Sequence, residues 1–122
     1  MQYPDGWDYA LIDAMTGIDG AVTRGECVMV DKATVVGAVL VPDVDIAGTG
    51  GVGTLLEVEV NGVAQSKYLH LPEGALADVP VFARLEASHI VPVPAGGLLT
   101  LLSDGLQIAG LDVEITWVTR PY

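Results

Sequence analysis

The chain has 122 residues, with 5 Lys and Arg against 16 Asp and Glu, giving a formal charge of −11. With 51% hydrophobic and 17% charged residues it is no disordered chain, and its length supplies one domain with a real core. Five scattered cations exclude the basic footprint of a nucleic-acid binder, and so acidic a surface is repelled by anionic membranes.

The first residues, 1–6, carry neither the basic cluster nor the apolar run of a signal peptide, and no apolar stretch approaches the roughly 20 residues of a membrane span. Synthesis in a cytoplasm is the expectation. Tyr3, Trp7 and Tyr9 then bring aromatic side chains close together near the start of the chain. Exposed Tyr and Trp give large contact area for little entropy, so residues 1–20 read as an N-terminal arm able to dock on another subunit. The alternative is that Trp7 folds back onto its own domain. Residues 8–15 have the composition of two helical turns, too short to be stable unless docked.

From residue 17 onward Gly and Pro recur at short intervals, leaving segments mostly four to nine residues long, a length that suits strands. Cys27, the only cysteine, lies in Glu26-Cys27-Val28-Met29-Val30. It can form no intrachain disulfide, its charged neighbour is acidic, and it reads as a small core hydrophobe rather than a thiolate nucleophile. Residues 35–41, Val-Val-Gly-Ala-Val-Leu-Val, form a near-continuous apolar strand, buried on both faces or covered at an interface. On the second reading Val35, Val36, Val39 and Val41 join the aromatic arm as candidate partner-binding residues.

Asp43-Val44-Asp45 offers carboxylates to a cation, but the further ligands of a calcium loop are missing, so these read as turn residues. Gly48-Thr49-Gly50-Gly51-Val52-Gly53 matches the dinucleotide fingerprint in letters only. That motif must open a helix whose amides hold a pyrophosphate, whereas residues 54–60 alternate as a strand. Leu56, Val58 and Val60 take one side, Glu57 and Glu59 the other. Asn61-Gly62 then supplies a two-residue type I′ turn into a return strand over 63–71.

Residues 73–77 read as one helical turn. Residues 79–85 and 88–92 read as short strands, kept to sheet edges or strand starts by Pro80 and Pro92. Residues 98–103 lead through Asp104-Gly105 to residues 111–119, and the two read as a C-terminal hairpin. In its last strand Leu111, Val113, Ile115 and Trp117 share one face and Asp112, Glu114 and Thr116 the other.

No helix is long enough for a parallel crossover, so the expected fold is all-β: an antiparallel β-sandwich, jelly-roll-like, of about seven to nine strands over residues 21–122, with a short N-terminal arm or helical turn. No constellation for catalysis emerges. His70 and His89 are the only histidines and lack the close His-x-His spacing of metal-binding cupins. The carboxylate pairs Glu57/Glu59 and Asp112/Glu114 fall on polar faces, without the apolar pocket an acid catalyst needs. Ser88 or Ser103 can be combined with a histidine and an Asp only without any nucleophile-elbow sequence. No cofactor and no metal are expected.

Residues 90–101, Ile-Val-Pro-Val-Pro-Ala-Gly-Gly-Leu-Leu-Thr-Leu, and 106–117, Leu-Gln-Ile-Ala-Gly-Leu-Asp-Val-Glu-Ile-Thr-Trp, resemble the closing hairpin of small tailed-phage virion proteins. In those an Ile-Pro-Ala-Gly-Thr turn enters one strand and an alternating strand ends the chain. Pro94-Ala95-Gly96 matches the turn, and Gly97 replaces the usual polar residue. The resemblance implies a capsid decoration (cement) protein. Such a protein is a β-rich homo-oligomer, with a trimer expected here, bound to the major capsid protein on the virion exterior and reinforcing the shell without catalysis. Two other classes compete: a carbohydrate- or ligand-binding sandwich using Trp7 or Trp117, and a cupin-like metal enzyme using His70 and His89.

Overall fold

A computed structural model describes residues 8–18, 23–48, 50–85, 91–103 and 111–121. Among them are nine strands and no helix: β1 (Asp8–Ile18), β2 (Thr23–Val28), β3 (Ala33–Pro42), β4 (Thr54–Val60), β5 (Val63–Leu71), β6 (Val81–Arg84), β7 (Val91–Val93), β8 (Leu98–Ser103) and β9 (Leu111–Pro121). All pairings are antiparallel. They build a sheet ordered β1-β9-β3-β6, with β7 also on β3, and a second ordered β2-β8-β4-β5.

The winding follows from one local turn. Asn61 and Gly62 have φ of 52° and 78°, the left-handed pair that a type I′ hairpin requires. Around that turn the chain pairs in nested order: β4 with β5, β3 with β6 and β7, β2 with β8, β1 with β9. The long hairpin then rolls up, so that β3 meets β9 and β4 meets β8. This is the jelly-roll-like winding of the antiparallel sandwich. β6 and β7 lie end to end along β3, opposite residues 37–40 and 33–35, and together fill one strand position. Pro80 stands just before β6, while Pro92 is exposed within β7, where neither interrupts a central ladder.

Alternation sets which residues face inward. Leu56, Leu69, Leu71, Leu99, Leu101, Leu111, Ile115 and Trp117 are fully buried between the sheets, joined by Leu40 and Val58. Cys27 is buried in the same core, as its apolar surroundings imply.

Three expectations are corrected. Residues 8–15 are not helical turns: they belong to β1, whose backbone bonds the free side of β9, a ladder that outcompetes an eight-residue helix lacking such partners. That strand occupies most of the segment assigned to an arm, while residues 1–7 lie outside the described residues. Residues 73–77 form turns, in which Gly74 N–H donates to the Ile46 carbonyl and the Ile46 N–H to the Ala75 carbonyl, so long-range bonds replace helical ones. β8 and β9 do not pair as a hairpin, because rolling places β8 between β2 and β4 and β9 between β1 and β3. The inward face of β9 is as expected, but the strands that carry the phage resemblance lie in different sheets.

Two pairs of substitutions probe this architecture. Gly62 and Gly53 both have positive φ, 78° and 74°, yet a Cβ at Gly62 meets nothing within 4 Å, whereas one at Gly53 would strike the Leu71 carbonyl and the Glu73 amide nitrogen. Gly62→Ala is expected to cost about 1 kcal/mol and Gly53→Ala a further 1–3 kcal/mol, from urea unfolding midpoints. Trp117 is fully buried and its indole N–H has no hydrogen-bond partner among the described residues. Trp117→Phe relieves that unpaired donor and should lie within about 1 kcal/mol of wild type, whereas Trp117→Ala should lose about 3–5 kcal/mol. A Phe variant as unstable as the Ala variant would mean that the donor is paired.

Candidate interaction face

The chemistry-bearing residues that the structure describes lie apart from one another. His70 is exposed on the outer face of β5 opposite Leu55, and its Nε2 donates to the Val52 carbonyl at 2.7 Å. It anchors the glycine loop, in which Gly48, Gly50, Gly51 and Gly53 all have positive φ and which leads straight into β4. A strand in place of a helix leaves no amide N-terminus for a phosphate. Ser103 is buried and pairs with Leu56, facing the interior, so the four-stranded sheet β2-β8-β4-β5 separates it from His70. Ser88 and His89 lie outside the described residues. Among the described residues no three His, Cys, Asp or Glu side chains are grouped to hold a metal.

The carboxylates are more engaged than solvated polar faces require. Glu57 accepts from the Ser66 backbone N–H at 2.9 Å, pinning a bulge where β5 carries extra residues and Ser66 takes φ of 56°. Glu59 is only 8% exposed, although it faces outward, and accepts from Thr100 Oγ1 at 3.0 Å across the β4–β8 ladder. This corrects the expectation that both glutamates are simply solvated. Asp45 accepts from the Ala77 N–H at 2.8 Å, and Asp43 from the Asp112 N–H at 2.9 Å, so both tie loops to their neighbours.

Of the candidate partner-binding residues, Val35 and Val36 are buried within the chain itself, at 0% and 3% exposure. Val35 is core, which leaves it no surface for a partner. Val39 and Val41 are half-buried and alternate with the inward Ala38 and Leu40 on the outside of the five-stranded sheet. Tyr9 lies in β1 opposite Val118, while Tyr3 and Trp7 are outside the described residues.

The outer face around Val39 and Val41 holds a residue that sequence reasoning passed over. Phe82 of β6 lies opposite Val39 and is 46% exposed. Its ring edge comes close to Gly37, where a Cβ would stand 2.9 Å from Phe82 Cε1, so this glycine gives the ring room on the sheet. The signal was present in Val79-Pro80-Val81-Phe82: once Val81 faces the core, alternation sends Phe82 outward.

Beyond Val41 the face opens into a groove of about 300 Å³ lined by Val41, Pro42, Val113 and the acidic Asp43, Asp78, Asp112 and Glu114. Asp78 is held there by its N–H, which donates to the Pro42 carbonyl at 2.8 Å, and by a left-handed φ of 61°. The groove thus combines apolar side chains with four carboxylates.

No protein-family model, curated protein or solved structure matches the chain.

The Glu59–Thr100 pair gives a direct test of whether the outward acids serve the fold. Thr100→Val leaves a nearly buried carboxylate without its donor and is expected to cost about 1–3 kcal/mol, while Glu59→Gln keeps an acceptor and should cost less. Chemical denaturation of the two single variants measures the difference; equal, small losses would mean that water already satisfies Glu59.

Proposed function

We propose that this protein is a non-catalytic virion structural protein of the capsid decoration type, an oligomer that reinforces a phage head from outside. The observation that carries the reading is the disposition of apolar residues. The space between the sheets is filled by Leu, Val, Ile and Trp117, while Val39, Val41 and Phe82 put further apolar surface on the outside of one sheet. A filled interior with outward apolar surface favours a module that works by contact. The link to phage heads comes from the turn-and-strand resemblance around Pro94-Ala95-Gly96.

The mechanism is preferential binding. A protein that binds the assembled shell and not its free subunits shifts the equilibrium toward assembly, by RT ln(1 + [L]/Kd) at each site. Many copies, each burying modest apolar area, add up. The charge of −11 suits a position away from packaged DNA and keeps particles apart in solution. A symmetric oligomer, with a trimer as the leading expectation, would match symmetric positions on a shell.

The carbohydrate-binding alternative loses Trp117 as a platform, since it is fully buried; Trp7 lies outside the described residues, and the exposed Tyr68 on the outer face of β5 opposite Glu57 is a further aromatic it could use. A cupin-like centre would need histidines turned inward, and His70 is turned outward.

Co-expression with the major capsid protein encoded nearest this chain's gene tests the proposal. The chain is expected to co-sediment with assembled heads, to raise the temperature at which they break, and to run as a discrete oligomer in light scattering. A monomer at all concentrations that never associates with heads overturns it, as would glycan binding abolished by Tyr68→Ala.

A further inference from the structure

We propose that the outer face of the five-stranded sheet, at the end where β3 finishes and β9 begins, docks an extended segment of another protein that carries Lys or Arg beside apolar residues. The inference rests on the contact role proposed above and adds the face and the partner's chemistry.

Two features of the face coincide. Val39, Val41 and Phe82 form an apolar strip on the outside of a sheet whose inner side is already packed. The strip runs into the groove lined by Asp43, Asp78, Asp112 and Glu114, with no cation among the described residues that line it. Of the described basic residues on this sheet, Arg120 lies opposite Thr34 at its other end and Arg84 opposite Gly37 at mid-strand, two residues from Phe82, and neither lines the groove. Charge complementarity therefore calls for a basic occupant.

A single metal ion does not fit, because among the described residues no three acidic side chains converge as ligands. Asp43 is already committed to the Asp112 N–H. Separated carboxylates along an apolar strip match side chains distributed along a chain. Outward residues of β3 recur every second position, a spacing of about 7 Å, and an extended segment presents its own alternate side chains at the same interval. Its apolar residues would cover Val39 and Phe82 while a Lys or Arg reached Glu114 and Asp78. A second copy meeting this face with its own would set the same four carboxylates against this groove, which makes it the poorer occupant.

The test uses fluorescein-labelled octapeptides alternating Lys with Val, and Glu with Val, read by fluorescence anisotropy on the full chain. The Lys peptide is expected to bind, more weakly as salt rises, and the Glu peptide not to bind. Asp78→Asn with Glu114→Gln should weaken Lys-peptide binding about tenfold or more, given two lost charge pairs and their groove geometry. Asn tolerates the left-handed backbone at position 78, and circular dichroism checks that the fold is kept. Glu26→Gln with Asp31→Asn removes the same charge from exposed positions outside the groove and should leave binding within about twofold, because distant exposed charges are screened. Phe82→Ser should weaken binding with no change in charge.

Equal weakening in the two charge variants would reduce the effect to net charge and overturn the proposal, as would a Glu peptide that binds alike or a Lys peptide that does not bind. Self-association in sedimentation velocity that is abolished by the groove variant would assign the face to a second copy, and also overturn it. Peptide binding without head association would sink the decoration reading and leave this face standing; head association untouched by the groove variant would do the reverse.

Discussion

The structure depends on a single nested pairing that starts at Asn61-Gly62. Only this turn is local; every later pair, β3 with β6 and β7, β2 with β8, β1 with β9, closes a longer loop than the one before. Each pairing becomes entropically affordable once the inner one has formed, because closing a loop costs less when its ends are already held near one another. Such a fold is rich in non-local contacts and belongs to the slow-folding kind. The turn residues sit in left-handed conformations that Asn and Gly tolerate better than other residues, so the sequence spends its strongest turn signal at the centre of the roll.

Alternation is legible from sequence because a strand's side chains obey a period of two whatever the strand pairs with. The inward set Leu56, Val58, Val60 and the inward set Leu111, Val113, Ile115, Trp117 could thus be read directly, as could the β4–β5 hairpin. Pairing partners beyond a two-residue turn are another matter. β8 and β9 are consecutive, and each has the pattern of a half-buried strand, but both patterns are equally satisfied when the strands face each other across the core. The same limit explains residues 8–15. Their local composition permits a helix, and only the vacant edge of β9, more than ninety residues away by the pairing of Tyr9 with Val118, makes them a strand.

The candidate face was legible in part and for the same reason. The apolar run at 35–41 announced that β3 has something on both sides, but not what lies on the second side at each position. A bulge between Val35 and Gly37 shifts the register against β9, leaving Val36 buried outside the main core while Val39 and Val41 remain half-covered. Phe82 escaped notice because β6 is only four residues long, too few for alternation to say which side faces the core until Val81 is seen packed against it. The groove draws Asp43, Asp78 and Asp112 from three separate parts of the chain, and no spacing rule brings such residues together.

The two outer faces of the sandwich use their acids differently, and this asymmetry gives the contact reading its direction. On the four-stranded sheet Glu57 and Glu59 accept from Ser66 and Thr100, so these carboxylates are consumed in fixing a bulge and a ladder. On the five-stranded sheet Asp43 is likewise engaged by the Asp112 N–H, but Glu114 is exposed at the mouth of the groove, beside an Asp78 that is exposed and held in place through its backbone rather than its carboxylate. Positioning an acid by its main chain leaves the side chain's charge directed outward at little further entropic cost. Apolar strip and positioned charge occur on the same side of the same sheet, where an added partner can cover the first and answer the second without disturbing any pairing of the roll.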